Sequence, residues 1–290
     1  MSRPSRDAGL WWLPAAAAGA AALAFGWARY VEPRRLELNT WEIPLERLTP
    51  AGETTVLHLT DLHAGSLPWT AQRLIQVLGP EALAAPVLCL TGDYCDRPDE
   101  VPRVEALLAV LLHAMALQGG RPVKAFAVWG NHDRKAGLPA LRSVMARLGV
   151  AVLENAAMEV GGGLWVAGVG DSTTRQDRLS GALSGVPLGH PFLLLSHNPG
   201  IFPRAVEAGV PLTLAGHTHG GQVRLPGLGH LLGQGDASRP YGPGGWYRRG
   251  DQALFVSRGL GTTFVPVRWN ARPEAAVIRL RADLPPGHPA

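Results

Sequence analysis

TTVLHLTDLH, residues Thr54–His63, is a short apolar run that stops abruptly in a polar cluster at Thr60, Asp61 and His63. Runs of the same kind follow at Val87–Thr91, Val123–Trp129, Leu164–Val169, Phe192–Ser196 and Leu212–Ala215, each ending near Gly, Asp, Asn or His. Their lengths suit strands, and apolar character without alternation suits strands covered on both faces. Helix-length stretches lie between several of them: Thr70–Leu83, Val101–Leu117, Leu138–Leu148 and Ile201–Ala208. Strand alternating with helix predicts an α/β layered domain.

Working outward, Arg35–Ile43 alternates weakly between Pro33 and Pro44 and reads as an edge strand. Towards the C-terminus, Leu254–Ser257, Phe264–Val267 and Ala276–Leu280 read as further strands with no helices between them. Sheets packed against each other with helices outside accommodate both halves. Gly220–Gly250 is Gly/Pro-rich and reads as a surface loop or hairpin, and Pro285–Ala290 as a tail. Within the loop, Tyr241–Arg249 is read as packing on the domain, with lipid head groups or a nucleotide as the alternative contacts. Cys89 falls in an apolar run and Cys95 in the turn after it, which reads as a core residue plus a loop thiol, a disulfide being the alternative.

The 46% apolar content argues for a packed core and against disorder. A net charge of +4 with no basic stripe gives no reason to expect a nucleic-acid partner. No charge occurs over the 21 residues from Ala8 to Ala28. As a helix this stretch would be about 30 Å long, the thickness of a bilayer's hydrocarbon layer. Trp11 and Trp12 stand at one end and Trp27 and Tyr30 at the other, as aromatic residues do at membrane interfaces. Residues 1–31 are therefore expected to be a single-pass membrane anchor, residues 32–284 the catalytic domain and 285–290 a tail. A cleaved signal ending near Ala22-Leu23-Ala24 and a buried soluble helix are the rival readings. Arginines on both sides leave the orientation open, and nothing points to a protein partner.

The polar clusters carry the chemistry. In an α/β sheet, groups just past the strand C-termini gather along one rim, where ligands bind. Asp61, His63, Asp93, Asn131, His197, His217 and His219 would then converge, with His132 and Asp133 beside them. Two carboxylates, an amide oxygen and four imidazoles, without thiolates, suit manganese, iron or zinc better than magnesium or calcium. Seven donors are too many for one ion with an open position, but they suffice for two if a carboxylate bridges. The remaining histidines, His58, His113, His190 and His230, are read as structural or solvent-facing. Asp171 follows the fourth run and lies where it could reach the rim.

Asp61-Leu62-His63, Gly92-Asp93-Tyr94-Cys95-Asp96, Gly130-Asn131-His132-Asp133, His197 and Gly216-His217-Thr218-His219 together resemble the motif set of calcineurin-like metallophosphoesterases, in that family's order. The wider phrases around His197, around His217 and at Ser257-Arg258-Gly259-Leu260-Gly261 resemble the membrane-anchored, YaeI-like bacterial phosphodiesterases. The resemblance implies an αββα fold, a β-sandwich flanked by helices, and two divalent cations, manganese favoured. It implies that Asp61, His63, Asp93 and His219 hold one cation and that Asp93, Asn131, His197 and His217 hold the other. His132 would aid the leaving group, with Asp133 orienting its ring, and Asp96 would stabilise its loop. The implied activity is phosphodiester or pyrophosphate hydrolysis at the bacterial inner membrane, with UDP-2,3-diacylglucosamine as a lipid-linked candidate substrate. A phosphomonoesterase or phosphoprotein phosphatase is the alternative, and a non-catalytic metal-binding scaffold the remote one.

Overall fold

The structure, a computed structural model, describes residues 12–45, 52–225, 229–230 and 238–282. In chain order the elements begin with α1 (Leu13–Gly26), β1 (Glu37–Pro44), β2 (Thr54–Leu59), α2 (Ala71–Leu83), β3 (Val87–Leu90), α3 (Val101–Gly119) and β4 (Lys124–Ala127). Then come α4 (Asn131–Ala136), α5 (Leu138–Arg147), β5 (Val150–Val152), β6 (Ala156–Gly161), β7 (Leu164–Gly168), α6 (Leu179–Leu183), β8 (Phe192–Leu195), α7 (Phe202–Glu207) and β9 (Leu212–Ala215). A ribbon of β10 (Arg224–Leu225) and β11 (Gly229–His230) precedes β12 (Gly245–Arg249), β13 (Gln252–Val256) and β14 (Glu274–Arg281).

Two six-stranded sheets result, in the orders β1-β14-β2-β3-β4-β5 and β12-β13-β9-β8-β7-β6. In the first, β2 to β5 run parallel and β14 joins β2 antiparallel. In the second, β13, β9, β8 and β7 run parallel between antiparallel edge strands. The sequence shows why both faces are covered. Alternate residues point to opposite faces of a strand, and here both sets are apolar. Val56, Val87 and Cys89 enter the core between the sheets with Leu193, Leu195, Leu212, Leu214 and Phe255. Their neighbours Leu57, Leu59, Leu88 and Leu90 pack with Leu74, Leu78, Leu108 and Leu141 of the helices outside the first sheet. Leu194 and Ala215 do the same with Ile201, Phe202 and Ala205 outside the second. The layers are helix, sheet, sheet, helix, as expected.

One expected strand needs correction. Phe264–Val267 is not a strand: Phe264 turns the chain at φ 58°, and Gln222 takes the backbone groups that a sheet would have paired. The three short elements β5, β6 and α6 carry too little periodicity to be seen in the sequence. Cys89 and Cys95 are both buried and both free. Trp246 packs on the domain, 5.8 Å from Trp41 and 4.9 Å from Phe255 between ring centroids.

No described helix is long and apolar enough to cross a membrane. Helix α1 has 14 residues, about 21 Å, and none of its residues is buried. Residues 1–11, which hold the start of the expected anchor, lie outside the described residues. After α1 the chain winds through Trp27–Arg34 and docks on the domain. There the buried Glu32 carboxylate accepts the Trp27 indole N–H at 3.1 Å and the Ala271 N–H at 2.8 Å. The Ala28 carbonyl accepts the Arg268 N–H at 2.9 Å.

Candidate metal centre

The ends of β2, β3, β4, β8 and β9 meet at one rim, and all seven expected donors lie there. Among the described residues three compact groups form: Asp61, His63 and His219; Asp93, His197 and His217; and His63, Asp96 and His132, of which the first two hold the expected donors. In the first, His63 Nε2 is 3.2 Å from His219 Nε2, which is 3.4 Å from Asp61 Oδ1. In the second, His197 Nε2 is 3.2 Å from Asp93 Oδ2, 3.1 Å from His217 Nδ1 and 3.2 Å from Asn131 Oδ1. Asp93 Oδ2 also lies 3.7 Å from His63 Nε2, so one carboxylate oxygen faces both groups.

The backbone reaches this geometry under strain. Asp61, His63, Asp93, His217 and His219 all have positive φ, between 38° and 72°. Non-glycine residues seldom enter that region, and such outliers gather at functional sites. Backbone bonds continue past the strand ends, Asp61 N–H to the Gly92 carbonyl at 2.9 Å and His63 N–H to that of Asp93 at 3.0 Å, and tie these turns together. Close glycines make the room: a Cβ on Gly130 would fall on the Asp93 carboxylate, and one on Gly216 would fall on Thr60 and Asp61.

Hydrogen bonds fix which nitrogens are bare. His197 Nδ1 sits 2.7 Å from the Thr91 carbonyl and must donate there, so Nε2 is the nitrogen that faces the site and would meet a cation in place of its proton. His63 Nδ1 likewise donates to Asp96 Oδ2 at 2.9 Å. Imidazole lone pairs are thereby aimed at other nitrogens across about 3 Å, and a shared cation resolves that arrangement. The donor set and its orientation fit divalent metal ions.

The calcineurin-like phosphoesterase family matches residues 54–221, more than half the chain and the whole span of these clusters. The chain belongs to the calcineurin-like phosphoesterase family. The uncharacterized metallophosphoesterase YkuE of Bacillus subtilis (strain 168) is 30% identical over 97% of this chain and 98% of that protein. The phosphodiesterase YaeI of Escherichia coli (strain K12) is 28% identical over 88% of this chain and 92% of that one. Among solved structures, a dimetal phosphatase from Danio rerio is 13% identical, covers 80% of this chain and 99% of its own, and superposes with a TM-score of 0.42. As a member of this family the chain is a metal-dependent phosphoester hydrolase.

Charge in this calcineurin-like centre is tightly paired. Burial acts against the His197 imidazolium, yet the charge and hydrogen bond of Asp93 prevail and hold its pKa well above the usual value. Burial likewise opposes ionisation of Asp93, but the neighbouring imidazoles, His197 foremost, hold its carboxyl well below the ordinary range. Burial and the nearby His63 charge push His219 well down, towards the neutral form a ligand needs.

One expected role moves to another residue. Asp133 does not orient the His132 ring. Its buried carboxylate accepts three backbone N–H groups, from Asp93 at 2.9 Å, Tyr94 at 2.7 Å and Gly130 at 2.8 Å. Its position at the first turn of α4 points it back under that turn, away from the ring of its chain neighbour. The partner of His132 is Asp96, whose Oδ1 lies 2.5 Å from Nδ1. Asp96 thus holds His132 with one oxygen and His63 with the other. The Gly-Asp-x-x-Asp phrase in the sequence was the available signal for it. Asp171 caps the turn Ser172–Thr174 and joins neither group of donors, although its charge favours the His197 imidazolium.

Proposed function

We propose that this hydrolase is a phosphodiesterase or pyrophosphatase with two cations, working at a membrane. The observation that carries the reading is Asp93 Oδ2 facing both donor groups while His132 stands at their mouth, its side chain 12% exposed. In this reading Asp61, His63, Asp93 and His219 hold one cation and Asp93, Asn131, His197 and His217 the other, manganese being favoured. Bound there, such a pair supplies charge neutralisation at the phosphoryl oxygens and activation of water.

The chain's own residues do the rest. With Nδ1–H of His132 donated to Asp96, Nε2 is the atom that carries or passes a proton at the leaving oxygen. Asp96 fixes the ring. Asp133 keeps the turn between Gly130 and Asp133 closed, and so keeps Asn131 and His132 at the rim.

Membrane action rests on the 21 uncharged residues of the N-terminal segment and on α1, an apolar helix with no buried residue. We assign residues 1–31 as the anchor in a bacterial inner membrane. The substrate then resides in the bilayer or at its surface, and UDP-2,3-diacylglucosamine is the first to assay. Purified full-length protein with manganese should release UMP from it and should hydrolyse bis-p-nitrophenyl phosphate faster than the monoester. No UMP removes this substrate. Faster turnover of the monoester overturns the diester reading in favour of a phosphomonoesterase.

A further inference from the structure

We propose that the loop Thr262–Val267 is a second lipid contact, which seats the mouth of the metal centre on an anionic bilayer surface. This rests on the membrane reading above and extends it from the anchor to the catalytic domain. Phe264 is 81% exposed and Val265 43% exposed. The Phe264 ring centroid lies 6.2 Å from that of His132, so the exposed aromatic stands at the mouth itself.

The loop is built to hold this residue out. Phe264 has φ 58°, a conformation that is an outlier for a bulky residue and persists only when its surroundings over-determine it. Those surroundings are present. The Gln222 amide donates to the Thr263 carbonyl at 3.0 Å and the Val265 carbonyl at 2.8 Å, and its oxygen accepts the Thr263 N–H at 2.9 Å. Ser66 Oγ donates to the Thr262 carbonyl at 2.7 Å and accepts the Thr262 N–H at 2.9 Å. A ring displayed in water by five hydrogen bonds at strained backbone gains nothing for the fold alone. A partner that covers apolar surface accounts for it.

The neighbouring chain says which partner. Just beyond the loop, the Arg268 and Ala271 N–H groups bind Ala28 and Glu32, so the base of α1 abuts the same rim. Leu23, Phe25, Trp27, Tyr30 and Val31 are exposed there. Arg34 and Arg35 are exposed beside them, and the guanidinium groups of Arg29 and Arg35 lie over Tyr30 and Trp27. Glu32, the one acid between Trp27 and Arg35, is buried and engaged. Apolar and aromatic surface fringed by arginines that pair with no carboxylate among the described residues matches an anionic lipid interface. Docked this way, His132 stands at the depth of head groups, and the fitting substrate class is an amphiphile whose phosphoester lies in that layer.

The test uses full-length protein with one added cysteine, Phe264→Cys, Phe25→Cys or Leu188→Cys, labelled with the environment-sensitive fluorophore NBD. The native Cys89 and Cys95 are buried and leave the label specific. Leu188 is fully exposed and precedes β8, at the end of the sheet away from the site. On reconstitution with phosphatidylcholine–phosphatidylglycerol vesicles, the labels at 264 and 25 should brighten several-fold, shift to the blue and be quenched by doxyl lipids. The label at 188 should stay as in water. A lipid-buried label at 25 with a water-like label at 264 overturns this docking and leaves the anchor intact. Water-like labels at both positions overturn the membrane reading itself.

Discussion

The first sheet brings Asp61, His63, Asp93, Asn131 and His132 to the rim, all but two of them oxygen donors, while the second brings only imidazoles, His197, His217 and His219. The contributions differ in backing as well. Donors on the first sheet are braced by carboxylates, with Asp96 holding His63 and His132, and Asp133 holding the Asp93 loop. Those on the second are braced by backbone and by the first sheet itself. His197 donates to the Thr91 carbonyl, and the His217 N–H lies 3.0 Å from Asp61 Oδ2. The anionic half is thus self-supporting, and the imidazole half is shaped against it.

This asymmetry predicts unequal losses. Asp93→Asn should cost on the order of 10⁴ or more in kcat, because one change weakens both donor groups. Metal analysis should find both ions depleted. His217→Ala on the second sheet should lose one ion and retain the other. Equal loss of both ions in the two variants would show that the sheets share the centre evenly and would break the comparison. His132→Ala should lower kcat by about 10²–10⁴ with metal content unchanged.

The two carboxylates that brace the first sheet should separate by readout. Asp96→Asn should lower activity by roughly 10–100-fold, the usual cost of removing a ligand's hydrogen-bond partner. The loss should appear in metal affinity and kcat together, since Asp96 touches His63 and His132 at once. Asp133→Ala should instead destabilise the fold by about 3 kcal/mol, because it strands three buried N–H groups. Urea unfolding of the metal-free proteins measures this. A stable Asp133→Ala protein with a lost pH-rate limb would return the orienting role to Asp133.

Much of this was legible beforehand for a physical reason. Strands covered on both faces need unbroken apolar runs, and ligands past their ends must be polar, so the boundary between run and cluster marks each donor. Where that contrast fades, the pattern carries no boundary. The edge strand β6 is largely exposed and β5 has three residues, too few to set a period. Phe264–Val267 has strand composition, but a positive φ at Phe264 and Pro266 after it defeat pairing. Asp133 follows His132 directly, yet on the first turn of a helix consecutive side chains diverge by about 100°. Asp96 was the better placed partner, since its loop faces two histidines from different strands.

The last effect concerns the seam between the sheets. His58 on β2 is buried with its ring edge-on to Phe255 of the second sheet, centroids 5.9 Å apart, and its Nε2 is 2.8 Å from Thr91 Oγ1. Burial pushes this imidazole down to about 3. An unfolded chain takes up that proton near pH 6.5, so stability from a neutral His58 is complete above that pH. As pH falls from 6.5 towards 3, the group should remove about 1.4 kcal/mol per unit. His58→Leu should flatten the dependence across this window. The difference between variant and wild type isolates the effect, because titration at the rim is common to both. Parallel stability curves from pH 7 to pH 4 would mean that His58 is solvated when it charges.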